Sequence, residues 1–276
     1  MNLMPDPSHI LQPVLHLIFS EPEILLPEDR LVEMRLLTFD TVPQKEAIDI
    51  HWVSEDPSSR IGRIHFGQHH VQVSSLPHPL PSAIIDRTIH TAPWQPQVKM
   101  HLRHHQSHLS LVYMGDHHDP VEKMIALYQV AHSLANENLL GIVNEPAWTA
   151  HPTADILMPD QILNFRQNIP FRLWVGYVRF FVDKKHYWLV TKGHHLFDVP
   201  DLAYFCSGDE NEEDIISQFN NIFYYIFEED ADVVPGDTFS VSGGDDLMQF
   251  SEVTEYPELL MGPIGTLVIS KVNTRD

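Results

Sequence analysis

Cysteine is nearly missing from this sequence: Cys206 is the only one in 276 residues. That excludes an internal disulfide and any site built on two or more thiolates. No apolar run approaches the roughly 18 to 20 residues that a bilayer span needs. The opening residues, Met1-Asn2-Leu3-Met4-Pro5-Asp6, show no basic stretch ahead of an apolar core, so no secretory signal is read there. A reducing cytoplasm is the expected compartment. Basic residues are scarce as well, with 17 Lys+Arg against 38 Asp+Glu and a formal net charge of −21. From residue 193 to 270 there is no Lys or Arg at all, while 17 acids lie between Asp198 and Glu258; the rest of the chain carries only −4, from −21 minus −17. A segment of one sign repels polyanions, which argues against nucleic-acid and anionic-membrane binding. It serves either as a solvated, solubilising face or as a surface that meets a basic protein partner through residues such as Glu212, Glu213 and Asp214.

What is present is enough apolar sequence for a real core, 43% of residues. Its distribution predicts mixed secondary structure. Residues 13–20 read as extended, and residues 27–37 carry helical spacing in Leu31, Met34 and Leu37. Residues 47–53 alternate as a strand. A hairpin follows, with Ile64 and Phe66 alternating, Gly67-Gln68 at the turn, then Val71 and Val73. Pro77-His78-Pro79-Leu80-Pro81 is a stiff connector, after which Ser82 is expected to cap a short helix. Asp119-Pro120-Val121-Glu122 marks a helix start, with Met124, Tyr128, Ala131 and Ala135 on one face. Apolar runs at 109–114 and 139–143 flank this helix, an order that favours a right-handed crossover between neighbouring parallel strands. Further on, 172–182 and 186–191 read as a hairpin, and 212–229 as an amphipathic helix. Residues 238–241 and 266–270 read as late strands, connected through a turn at 243–246 and a loop at 256–263. The expected fold class is α+β, a mixed β-sheet with hairpins and amphipathic helices packed on it, and the order admits ferredoxin-like elements. One domain over 1–276 is expected, behind a flexible tail at 1–11, with residues 146–170 as the place where two halves would divide.

Several words resemble a known family. They are Asn144-Glu145-Pro146-Ala147-Trp148-Thr149-Ala150-His151-Pro152, Trp188-Leu189-Val190-Thr191-Lys192-Gly193-His194-His195-Leu196-Phe197, Val199-Pro200-Asp201-Leu202-Ala203-Tyr204 and Thr254-Glu255-Tyr256-Pro257-Glu258-Leu259-Leu260. Together they resemble the bacterial family called domain of unknown function 4261, from about Ile64 to Ile269. The sequence departs at Asp198, where the family pattern places a glycine. The resemblance implies a bacterial cytoplasmic protein with a shared fold, and it carries over no catalytic residue. Some relatives look like components of toxin–immunity or secretion neighbourhoods.

Candidate chemistry gathers at a few words. Gly193 to Asp201 holds two imidazoles and two carboxylates, so His195, Asp198 and Asp201 are candidate ligands for a divalent metal. The competing reading is a strand end and bend, with His194 and His195 pointing to opposite faces of a strand. His101 and His105 stand at i, i+4, which would put two imidazoles on one helix face. Asp116-His117-His118-Asp119 reads mostly as a capped turn. Trp148 and His151 lie in a loop word suited to recognition. No Gly-x-Ser-x-Gly elbow occurs, and Cys206, facing an acidic stretch, is expected to be inert.

The preferred reading is a non-catalytic protein-interaction module of immunity or accessory type, using its acidic surface on a basic partner and no cofactor. A metal-dependent hydrolase using His194 or His195 with Asp198 or Asp201 is the second reading. A small-ligand sensor, with a pocket between the hairpin and the loop at Trp148, is the third; Trp148, His151, His194, His195 and Asp201 are the candidate binding residues.

Overall fold

The computed structural model describes residues 12–39, 48–53, 60–153, 159–240 and 247–272; the expected tail at 1–11 and the turn at 243–246 lie outside them. The chain separates into two compact units, residues 12–174 and the C-terminal unit from 175 onward. Both mix helices with sheet, and the fold class is α+β.

The N-terminal unit is built on seven strands: β1 (Val14–Phe19), β2 (Ile48–Trp52), β3 (Ile61–Phe66), β4 (His69–Leu76), β5 (Ser107–Tyr113), β6 (Leu139–Asn144) and β7 (Thr149–Pro152). Their order across the sheet is β2-β3-β4-β5-β1-β6-β7, and every neighbouring pair is antiparallel. The expected parallel neighbours β5 and β6 are therefore not adjacent. β1 is inserted between them and hydrogen-bonds to both in the opposite sense. The helix between them, α4 (Pro120–Leu134), starts as its sequence predicts: Asp119 Oδ1 accepts from the Val121 N–H at 2.8 Å. It packs over β1, β4 and β5 and against α1 (Asp29–Leu36). Arg35 of α1 donates to the carbonyls of Ser133 and Ala135 at 3.1 and 2.7 Å, satisfying acceptors that a helix end leaves open.

On the other sheet face lie α2 (Ser82–Thr88) and α3 (Pro96–Arg103), over Ile18, Val143 and Ala150. The unit also contains α5 (Pro159–Asn164) and α6 (Phe171–Trp174). Three expectations fail here for identifiable reasons. In α1 the buried residues are Val32 and Leu36, while Leu31, Met34 and Leu37 face outward, because the face packed against α4 is the one that carries Val32 and Leu36. Pro81, not Ser82, holds the cap position of α2. α3 ends at Arg103, so exposed His101 and buried His105 do not share a helix face.

The C-terminal unit carries β8 (Gly176–Phe181), β9 (Tyr187–Lys192), β10 (Asp201–Cys206), β11 (Thr238–Ser240), β12 (Leu247–Ser251) and β13 (Thr266–Lys271), ordered β11-β12-β13-β10-β9-β8. All neighbours are antiparallel except β10 and β13, which run parallel. The amphipathic helix α7 (Glu212–Glu229) covers one face, burying Ile215, Phe219 and Ile222 against Leu189, Leu202, Tyr204 and Ile269, and Phe223 beside His194 and Phe197. Each such side chain stabilises by about 1.5 to 3 kcal/mol before entropy is subtracted. Asn211 caps its start, accepting from the Glu213 N–H. The expected loop at 256–263 contains a short helix, α8 (Pro257–Leu260).

Candidate functional site

The face of the C-terminal sheet away from α7 is shaped by cross-strand pairing. Trp188 on β9 and Phe205 on β10 are direct register partners, which puts both rings on one face. Their centroids lie 5.1 Å apart at a tilt of 60°. Phe205 is 42% exposed, unusual for a ring of its size, and its other side stacks on His186. That imidazole is held by Asp183, whose Oδ1 also accepts the backbone N–H groups of Lys185 and His186 in the β8–β9 turn. These bonds, led by the one from Lys185, hold the Asp183 carboxyl well below the usual range.

Opposite the two rings runs the segment from β12 through α8. Between them is a cleft of about 450 Å³, with Trp188, Phe205, Leu260 and Val268 as apolar lining and Glu252 and Glu255 as exposed acids beside it. The far wall is tied to the sheet. Buried Lys192 donates to the carbonyls of Leu260 and Met261 at 3.2 and 3.4 Å, at the C-terminal end of α8 where a cation is favoured. The Thr266 hydroxyl donates to the Leu260 carbonyl and accepts the Gly262 N–H, both at 2.9 Å. The electrostatics of the unit are one-sided. Asp209, Glu210, Glu213, Asp214, Glu228, Glu229, Glu252, Glu255 and Glu258 are all exposed, whereas the Arg179 guanidinium is engaged by both carboxylate oxygens of Glu212 at 2.6 Å.

Behind the cleft wall lies a buried polar cluster from the Gly193–Asp201 word. Asp201 is fully buried, with Oδ1 near the His194 N–H and the Thr191 hydroxyl at 3.3 and 3.4 Å. Its Oδ2 has no hydrogen-bond partner among the described residues, and a Cβ placed on Gly262 would collide with it. Burial pushes the Asp201 carboxyl up to about 7, against the pull of the Lys192 ammonium and these hydrogen bonds. Burial in turn lowers the Lys192 ammonium, with Asp201 opposing. His194 donates from Nδ1 to the Pro200 carbonyl, and burial holds its ring neutral, with a pKa of about 3.

The structure places the residues singled out from sequence as follows. His194 and His195 do not sit on a strand; they lie in a single 3₁₀ turn (His194–Phe197), and both are buried. Gly193 at φ 109° and Asp198 at φ 58° bracket that turn. The glycine-like conformation at 198 is thus kept by an aspartate, a residue that tolerates it better than most. Asp198 is exposed while His195 and Asp201 are buried. Among the described residues, no group of three or more His, Cys, Asp or Glu is arranged to hold a metal ion, and His195, Asp198 and Asp201 form no such group. Glu212 is half-buried on Arg179, and Glu213 and Asp214 are exposed in the first turn of α7. Cys206 is buried, with its thiol pushed up to about 11, chiefly by that burial.

In the N-terminal unit His151 is buried in β7, donating or accepting with the Thr149 hydroxyl at 3.0 Å, and burial lowers it to about 4. Trp148 ends a turn at φ 52°, with the Arg87 guanidinium 5.8 Å above its ring. Sequence reasoning passed over Trp188, Phe205, Glu252 and Glu255. The register that joins the first pair has no signal in the sequence.

Comparison with known proteins comes to one finding. The model of the family described as domain of unknown function (DUF4261) matches residues 190–270, which bears out the resemblance read from the sequence over that span. No curated protein matches the chain, and no solved structure does. The matched span runs from β9 to β13 and includes five of the six cleft residues named above together with the whole buried cluster, but not Trp188 at its near edge or the N-terminal unit.

Proposed function

We propose that the C-terminal unit, whose DUF4261 segment forms most of the cleft, is a protein-interaction module that seats a basic segment of a partner protein between Phe205 and the 251–260 wall. The observation that carries this reading is the pairing of exposed aromatic surface with Glu252 and Glu255 in one cleft, on a unit with no Lys or Arg from 193 to 270. A lysine or arginine side chain suits both halves of such a site. Its aliphatic stem packs on Phe205 and Val268, its cation meets the ring face, and the carboxylates neutralise it. The surrounding exposed acids would speed encounter over a screening length of about 8 to 10 Å and disfavour acidic competitors.

The wall tied by Lys192 and Thr266 supports the same reading, because a prearranged cleft loses less conformational freedom on binding. The test is a peptide series of equal length with Lys/Arg, neutral or Glu/Asp flanks around one apolar residue, titrated into the intact chain. Saturable binding confined to the basic members, weakened about tenfold or more by Phe205→Ala, is expected. Binding that ignores flank charge, or that survives Phe205→Ala unchanged, would sink the proposal.

A further inference from the structure

The N-terminal unit contains a hydrogen-bonded chain of hydroxyl, imidazole and carboxylate that no sequence motif announced. Ser110 on β5 and His16 on β1 are register partners, and the Ser110 Oγ lies 2.9 Å from His16 Nδ1. His16 Nε2 lies 3.2 Å from Glu145 Oε2. Glu145 is fixed from its other side: Arg87 Nη2 donates to Oε1 at 2.8 Å, and the same guanidinium rests over Trp148. A carboxylate only accepts, so the proton facing Glu145 sits on Nε2. That leaves Nδ1 as the acceptor for the Ser110 hydroxyl.

The position of the chain suits chemistry better than packing. One row across the sheet reads Ile61, Ser74, Ser110, His16, Val143 and Ala150. The last two lie under α2 and α3, whereas Ile61 is exposed and Ser74 and Ser110 are half-buried. Ser110 thus stands where the helical cover ends, reachable from the open half of the sheet, with His16 buried behind it.

We propose that Ser110 is a nucleophile activated by His16 as general base, with Glu145 and Arg87 as positioning residues, in an acyl-transfer site for carboxylic esters. The chemistry balances without any further reagent. Ser110 Oγ bonds to the ester carbonyl carbon as its proton passes to His16 Nδ1. The carbon–oxygen bond to the alcohol breaks, and the alcohol leaves with that proton. Water then attacks the acyl-serine, His16 takes the water's proton, and it returns the proton to Ser110 as the acid departs. Glu145 holds the ring's tautomer and stabilises the imidazolium formed in each half.

The test uses the intact chain and two probes. A fluorophosphonate should add once per chain, on the peptide holding Ser110, and a p-nitrophenyl ester should be hydrolysed at a rate that Ser110→Ala lowers by about 100-fold or more. Glu145→Gln should lower kcat about tenfold or more while leaving KM unchanged, a split that a purely structural role would not give. Adduct mapping is done on the unaltered protein, so it stands whether or not a variant folds. No adduct on Ser110, an adduct on Ser74 in its place, or ester hydrolysis undiminished in folded Ser110→Ala would overturn the proposal.

Discussion

Asp201 is a carboxyl placed where its charge is penalised, and the penalty has a sign that can be measured. Its folded value of about 7 lies above the ordinary 3.8, so between those two pH values the folded chain holds a proton that the unfolded chain has released. Stability from this group is therefore complete below the unfolded value and is lost as pH rises through about 7. The depressed Lys192 ammonium acts below its ordinary 10.5 and with the opposite slope. We expect the urea midpoint of the wild-type chain to fall relative to that of Asp201→Asn between about pH 4 and pH 8. A difference between the two chains that stays constant across that interval would contradict the assignment. At the same scale, sequence reasoning found His194, His195 and Asp201 as a dense word and weighed a metal site there against a strand end and bend. The 3₁₀ turn that buries both rings depends on positive φ at Gly193 and at Asp198, and an aspartate does not advertise such a conformation.

Among the elements, α7 was the most legible. Its bounds follow from a single apolar stripe, and Ile215, Phe219, Ile222 and Phe223 are buried along it. Phe219→Ala should cost about 3 to 5 kcal/mol, and Asn211→Ala about 1 kcal/mol through the lost cap. Denaturant unfolding checks both; a loss below about 1 kcal/mol for Phe219→Ala would mean the helix packs elsewhere. Strands were legible where one face is solvated, as in β3, with its alternation of exposed and buried residues. One strand with both faces covered, β10, was not read as a strand. β10 reads Asp-Leu-Ala-Tyr-Phe-Cys with five of six residues buried, so no period of two survives. β1 was read as extended, but its insertion between β5 and β6 was not foreseeable, since sheet order is set by long-range pairing. The candidate sites were hidden for the same reason: His16 stands 94 residues from Ser110 and 129 from Glu145.

At the scale of the molecule, buried histidines make stability depend on pH. Burial lowers His69, His108 and His151 to about 4, all in the N-terminal unit. For a histidine whose folded value is depressed below 6.5, the unfolded chain takes up the proton first. Stability is then intact above about pH 6.5 and is lost as pH falls towards 4. Unfolding of the seven-stranded unit should show this acid loss, and His151→Asn, if folded, should flatten its slope. An N-terminal unit equally stable at about pH 7 and pH 4.5 would contradict it. No described helix is long and apolar enough to cross a membrane, and the acidic charge is concentrated in the C-terminal unit's part of the sequence.

That concentration makes the cleft beside Glu252 and Glu255 the claim most open to direct test. The measurement is the anisotropy of a labelled peptide, lysine-rich with one central apolar residue, titrated into wild-type chain and into Glu252→Lys/Glu255→Lys, each at about 50 mM and about 500 mM salt. The account predicts saturable binding to the wild-type chain, weakened about tenfold or more by salt and by the double charge reversal. Equal affinity for the two proteins at both salt concentrations would contradict it.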